Sequence, residues 1–195
     1  MEFSDLKKYS FILASKSPRR QFLLKDLGLD FEVRTKEVDE SFADHLKAQD
    51  IPLYLCEKKA MAFDEELHDN TIVITADTIV WVEGQVLNKP ENYEDAVRML
   101  QLLSGKMHEV FTGVCIRSKT KTKTFYSRTA VYFKNLSQNE IDYYVTNYSP
   151  YDKAGAYGAQ EWIGYIAVEH IEGSYFNVMG LPLRELYEEL LQFKV

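Results

Sequence analysis

The segment Ser15-Lys16-Ser17-Pro18-Arg19-Arg20 sets two hydroxyls and two arginines where a short apolar run, residues 11–14, gives way to a helical stripe. Free backbone N–H groups at a helix N-terminus favour an anion, and arginine adds paired donors that match phosphate oxygens. Cations in a first helical turn oppose the helix dipole, so a bound anion is a physical reason for placing them there. Two solvated arginines on a surface helix are the plain alternative. Asp77, in Thr75-Ala76-Asp77-Thr78, stands inside the most apolar run of the chain. A buried carboxylate is costly unless it meets a cation, a metal or a break in the strand, so Asp77 is a candidate for chemistry or for a structural ion pair.

Three further stretches are more polar than their surroundings. Lys89, in Asn88-Lys89-Pro90, offers a point charge suited to phosphate, or is an ordinary loop lysine. The run Asp152-Lys153-Ala154-Gly155-Ala156-Tyr157-Gly158-Ala159-Gln160 has glycines that let a ligand approach the backbone. It ends on Gln160, whose amide carries both a donor and an acceptor for a base edge. A tight loop needing positive φ would have the same composition. The stretch from Gly173 to Pro182 is either a cap over a site or the turn into the last helix.

These residues need elements to hold them. Residues 11–14 read as a buried strand, and Ser17-Pro18 as an N-cap with proline at the first helical position. Phe22, Leu23, Leu24 and Leu27 continue the helix until Gly28 stops it. A second strand is expected at 31–35 and a helix at 53–67. Thr71 to Val82 reads as a strand buried on both faces. Glu83-Gly84-Gln85 turns it into Val86-Leu87. A helix is expected from Tyr93 to Leu103, and strands at 107–117 and 124–133 with a polar hairpin tip at 118–123. Ser137-Gln138-Asn139-Glu140 is a capping box opening a helix that runs to about Asn147. A strand at 163–171 and an amphipathic helix at 183–193 close the chain. Hairpins mixed with strand–helix–strand crossovers predict an α/β fold, a mixed twisted sheet flanked by helices. With no linker or repeat in view, the chain reads as one domain over 1–195, with two lobes around a cleft.

Composition narrows the function. The chain has 195 residues, is 46% hydrophobic and 27% charged, and carries a formal net charge of -7. That balance argues against binding a nucleic-acid polymer, which calls for a basic face. It leaves room for a nucleotide enzyme, which needs only local cations. No apolar run approaches a membrane span, and no secretory leader is expected at the N-terminus. The two cysteines, Cys56 and Cys115, lie apart in apolar contexts and read as reduced core thiols. The four histidines are scattered and read as surface or core residues and not as ligands; His108 alone falls in a motif stretch, residues 103–113. A cytoplasmic location follows as an expectation.

Taken in order, the segments are more specific than any one alone. Ser-x-Ser-Pro-Arg-Arg-x-x-Leu-Leu, Ala-Asp-Thr-Ile-Val, Lys-Pro, Leu-Ser-Gly-Lys-x-His-x-Val-x-Thr-Gly, Asp-Lys-Ala-Gly-Ala-Tyr-Gly-x-Gln and Gly-Ser-Tyr-x-Asn-Val-x-Gly-Leu-Pro together resemble the Maf family. The resemblance runs from Phe11 to about Tyr187. It implies the inosine triphosphatase (Maf/Ham)-like fold and a nucleoside triphosphate pyrophosphatase that uses a divalent cation, Mg²⁺ or Mn²⁺. By that resemblance Asp77 is the base that activates water. Arg19, Thr78 and Gln160 match positions tied to substrate choice. Ser15, Arg20, Glu40, Lys59 and Lys89 line the phosphate and metal region, with Glu40 and Asp77 as metal ligands. From sequence alone Glu40 is equally a solvated loop acid, and Lys59 a helix surface charge. Lys153 to Gln160 follows the pattern Lys-Ala-Gly-x-Tyr-x-x-Gln of members acting on dTTP and UTP, so Lys153 joins the substrate-binding set. The chain departs from the family after Gln160, where Glu161-Trp162 replaces an expected glycine. Two other readings differ from this one. A pyrophosphatase for 7-methyl-GTP would share the chemistry, and a nucleotide-binding regulator of cell division would have little catalysis. A homodimer, common among such proteins, is carried as an expectation.

Overall fold

The structure is a computed structural model that describes residues 2–193. Among the described residues, seven strands make one mixed sheet in the order β2-β1-β3-β5-β6-β7, with β4 paired to β3. They are β1 Ser10–Leu13, β2 Phe31–Val33, β3 Thr71–Val82, β4 Gln85–Leu87, β5 Met107–Arg117, β6 Thr122–Phe133 and β7 Val168–Glu172. The helices are α1 Pro18–Asp26, α2 Asp50–Met61, α3 Tyr93–Leu103, α4 Gln138–Tyr148, α5 Trp162–Ala167, α6 Tyr175–Met179 and α7 Leu183–Gln192. By contacts the chain resolves into two compact units. The first holds Met1–Asp77, Thr112–Ser127 and Gly180–Val195, and the second Thr78–Phe111 and Arg128–Met179.

In the first unit, β1 pairs in parallel with both β2 and β3, Phe11 standing opposite Phe31 and Ile72. Parallel neighbours need crossover helices, and α1 and α2 supply them. The start of α1 follows local chemistry: Ser17 caps it by accepting from the Arg20 N–H, and Pro18 takes the first position. Gly28, with φ +84°, lies just past its end. The helix expected at 53–67 is α2 plus a separate 3-10 turn, Asp64–Glu66. The apolar periodicity continues through the break because Phe63 and Leu67 remain buried against Ile12 and Val73. Between β5 and β6, the Ser118 N–H donates to the Lys121 carbonyl at 2.8 Å, closing the expected hairpin.

In the second unit, Glu83 and Gly84 both take positive φ, the turn geometry that returns β3 into β4 with Val80 opposite Leu87. A core of Leu87, Met99, Leu100, Leu103, Val131, Phe133, Ile141 and Tyr144 gathers helices α3 and α4. The capping box at α4 forms as expected, Ser137 and Glu140 each bonding the other's backbone. The strand expected at 163–171 is a correction. Its first half is α5, and only Val168–Glu172 is a strand, paired antiparallel to β6. Ile163 and Ala167 are the buried pair, four apart, which is the helical spacing. An apolar run this short does not by itself separate helix from strand. No helix among the described residues is long and apolar enough to cross a membrane.

Candidate functional site

Within the first unit, β3 and α2 meet in register. Thr75 Oγ1 donates to the Cys56 carbonyl at 2.5 Å. Two residues along a strand share a face, as do three along a helix, so the next pair in step is Asp77 and Lys59. Lys59 Nζ lies 2.5 Å from Asp77 Oδ1 and 3.0 Å from Glu40 Oε1. Asp77 is 9% exposed, so this ammonium supplies the partner that a buried carboxylate requires. Glu40, from the segment before α2, is the exposed member of the trio.

Arg20 reaches the same neighbourhood from α1. Its Nη1 donates to the Ala76 carbonyl and its Nε to the Gly180 carbonyl, each at 2.8 Å. Burial lowers its pKa from the usual arginine value, and the charge of Asp77 opposes that fall. Arg19, half-buried beside it, adds a like charge. Ser15 is buried at the end of β1 and accepts from the Ser17 N–H at 3.2 Å. Four expected residues therefore stand together in this unit, Arg20, Glu40, Lys59 and Asp77, with Ser15 in the same unit between β1 and α1. Among the described residues no group of three His, Cys, Asp or Glu gathers as a metal cage. The carboxylates that share a cation here are Asp77 and Glu40. At the opposite ends of β1 and β3 a cavity of about 760 Å³ is lined by Tyr9, Asp30, Arg34 and Glu66, and none of the expected residues borders it.

The second unit holds the rest. Thr78 follows Asp77 on the strand and is half-buried. Lys89 is exposed in the loop after β4, a loop tied to the 152–161 segment where the Gly155 N–H donates to the Asn88 carbonyl at 3.1 Å. Lys153 is 7% exposed and pairs with Asp152 at 2.7 Å and Glu161 at 3.0 Å. Its ammonium thus has two carboxylates beside it already. Gln160 is half-buried, and its carbonyl accepts from the Tyr165 hydroxyl at 2.7 Å. His108 is buried, with Nε2 at 2.8 Å from the Tyr157 hydroxyl and edge contacts to the Phe133 and Tyr157 rings. Burial lowers its pKa to about 3, so it is a neutral core imidazole that holds Tyr157 in the loop. Tyr144 carries no signal in the sequence, because only its tertiary partners, Glu161 and Gly158, mark it out.

A model of the family described as Maf-like protein matches residues 10–193. The chain is 53% identical over 187 residues to the dTTP/UTP pyrophosphatase of Phocaeicola vulgatus, covering 95% of this chain and 97% of that protein. It is 54% identical over 185 residues to the dTTP/UTP pyrophosphatase of Flavobacterium johnsoniae, covering 95% of each. Among solved structures, the Ham1 protein of Staphylococcus aureus aligns with a TM-score of 0.51 at 16% identity, covering 92% of this chain and 99% of that one. That last likeness is one of fold, and it matches the fold expected from sequence.

Proposed function

The chain belongs to the Maf-like family, and from that premise we propose that it hydrolyses nucleoside triphosphates, dTTP and UTP in preference, to the monophosphate and pyrophosphate. The observation that carries the reading is Asp77, a buried carboxylate held by Lys59 and flanked by Arg20 at a helix N-terminus. Asp77 takes the proton from a water whose oxygen attacks the α-phosphorus. The bond from that phosphorus to the bridging oxygen breaks, and pyrophosphate leaves with the electron pair. Arg19, Arg20, Lys59 and Lys89, with the Ser15 hydroxyl, bind the triphosphate oxygens and offset the charge on the leaving group. Gln160 reads the base with its amide, and Thr78 adds a hydroxyl to the same selection.

The donor set fits a divalent ion. Asp77 and Glu40 already converge on a single cation, the Lys59 ammonium, and their oxygens are the hard ligands Mg²⁺ and Mn²⁺ take. Bound there, such an ion would supply charge neutralisation to phosphate oxygens. The reading takes the chain as one functional domain working on free cytoplasmic nucleotides, with a homodimer as its assembly.

The test is pyrophosphate release from dTTP, UTP, CTP, 7-methyl-GTP and the common purine triphosphates, with and without Mg²⁺ or Mn²⁺. Metal-dependent turnover of dTTP and UTP above the others is the expected result. Turnover of 7-methyl-GTP alone would retain the chemistry and overturn the base assignment. An absence of turnover throughout would leave a nucleotide-binding regulator as the better account.

A further inference from the structure

Glu161 stands where the family pattern leads one to expect a glycine, and in this structure it is wired into the loop that precedes it. Its Oε1 lies 3.0 Å from Lys153 Nζ, and its Oε2 accepts from the Tyr144 hydroxyl. Tyr144 is fully buried in the core of its unit, and its hydroxyl oxygen accepts from the Gly158 N–H at 3.1 Å. The Glu161 N–H donates back to the Gly158 carbonyl at 3.0 Å. Gly158 is thus held at both its backbone groups, once directly by Glu161 and once through Tyr144.

Side chains close the same knot. A Cβ built on Gly158 would lie 3.0 Å from Glu161 Cδ, 3.0 Å from Lys153 Cε and 3.1 Å from Gln160 Nε2. The Gln160 amide therefore packs at the one residue that Glu161, Lys153 and Tyr144 jointly hold. Burial and the Glu161 carboxylate both push the Tyr144 pKa up, which keeps the hydroxyl a donor at neutral pH. The Lys153 ammonium, bracketed by Asp152 and Glu161, is turned toward the loop's own carboxylates.

We propose that Glu161 is a positioning residue for base selection: by holding Lys153 and Tyr144 with its two oxygens, it sets the loop from which Gln160 reads the pyrimidine. The proposal rests on the reading of Gln160 as the base-contacting residue. It makes the Glu-Trp departure from the family pattern a second support for specificity in this chain.

The experiment compares wild type with Glu161→Ala and Tyr144→Phe, measuring kcat and KM for UTP, dTTP and CTP with Mg²⁺. In Glu161→Ala, KM for UTP rises about tenfold, since small misplacements of a positioning group cost this much or more. The ratio of kcat/KM for UTP over CTP falls by a similar factor, while kcat stays within about threefold. Tyr144→Phe moves both quantities in the same direction, and the double variant shows less than the product of the two effects because the residues act in one chain of contacts. An unchanged KM and an unchanged UTP/CTP ratio would overturn the proposal. So would an equal fall in kcat for all three substrates, which marks a purely structural role. If Glu161→Ala fails to fold, Tyr144→Phe decides by the same two readouts. A wild-type protein that releases no pyrophosphate from any triphosphate defeats the functional reading itself, a failure visible before any variant is compared.

Discussion

The Arg20 guanidinium donates to the Ala76 carbonyl at 2.8 Å, one peptide unit before Asp77. The cation at the start of α1 and the carboxylate on β3 are therefore held by the same stretch of backbone. Lysine has no planar fork and cannot serve the Ala76 and Gly180 carbonyls together. Arg20→Lys should lower kcat/KM for dTTP by about ten- to a hundredfold through misplacement. It should also cost about 1–2 kcal/mol of stability through the lost bonds. Steady-state kinetics beside urea unfolding reads both, and an unaltered unfolding midpoint would show the two bonds to be dispensable.

Asp77→Asn keeps the shape of the side chain and one oxygen for Lys59, and removes the carboxylate proposed as the base. Turnover should fall by about 10²–10⁴-fold with far-ultraviolet circular dichroism unchanged. Glu40→Gln should act differently, because Glu40 is exposed and pairs with Lys59 from the solvent side. Its expected effect is a higher metal concentration for half-maximal activity with a modest loss at saturation. Full activity in Asp77→Asn would remove the residue from the mechanism.

His108 gives the fold a pH dependence. Burial lowers its pKa to about 3, whereas the unfolded chain titrates it near 6.5. Between those values the unfolded state binds a proton that the folded state excludes. The contribution to stability is intact above pH 6.5 and falls by about 1.4 kcal/mol per unit as pH drops below it, levelling near pH 3. His108→Gln retains a polar contact for Tyr157 and should remove that part of the slope. Urea unfolding of both proteins from pH 7 to pH 5 gives the comparison, and parallel slopes would contradict the assignment.

The two thiols should be silent in the native protein. Cys56 and Cys115 are buried, and burial pushes both pKa values up, that of Cys115 to about 12. A thiol reacts as its thiolate, so neither should react with Ellman's reagent at pH 8 until the chain unfolds, when both do. A fast-reacting thiol in the folded protein would indicate an opening near α2 and β5.

Much of this was legible in the residues. Thr71–Val82 announces itself by an unbroken apolar, β-branched run, and Ser17-Pro18 and Ser137 to Glu140 mark helix starts by local hydrogen bonding alone. Asp77 is conspicuous for the same reason that makes it useful, a charge where the pattern demands none. Residues 163–171 read as a single strand because an apolar run without alternation carries no period, whereas the packing of Ile163 and Ala167 makes the first half a helix. The acceptors of Arg20 are the backbone carbonyls of Ala76 and Gly180, groups every residue possesses, so no side chain advertises them. Lys153 differs, since its partners are the side chains of Asp152 and Glu161, the latter a departure from the motif whose role only the fold discloses.

The bond from Arg20 to Gly180 spans 160 positions of the chain. Gly180 to Gln192 returns to the unit that the first 77 residues begin, and α7 buries Leu186 and Leu190 there. During synthesis, Arg20 therefore gains this acceptor only after a further 160 residues have been made. A nascent chain that stalls before Gly180 holds Asp77 and Lys59 but lacks one of the two carbonyls to which Arg20 donates. The placement of Arg20 is thus finished by a segment far along the chain, and a chain cut before Gly180 should hold that guanidinium less firmly.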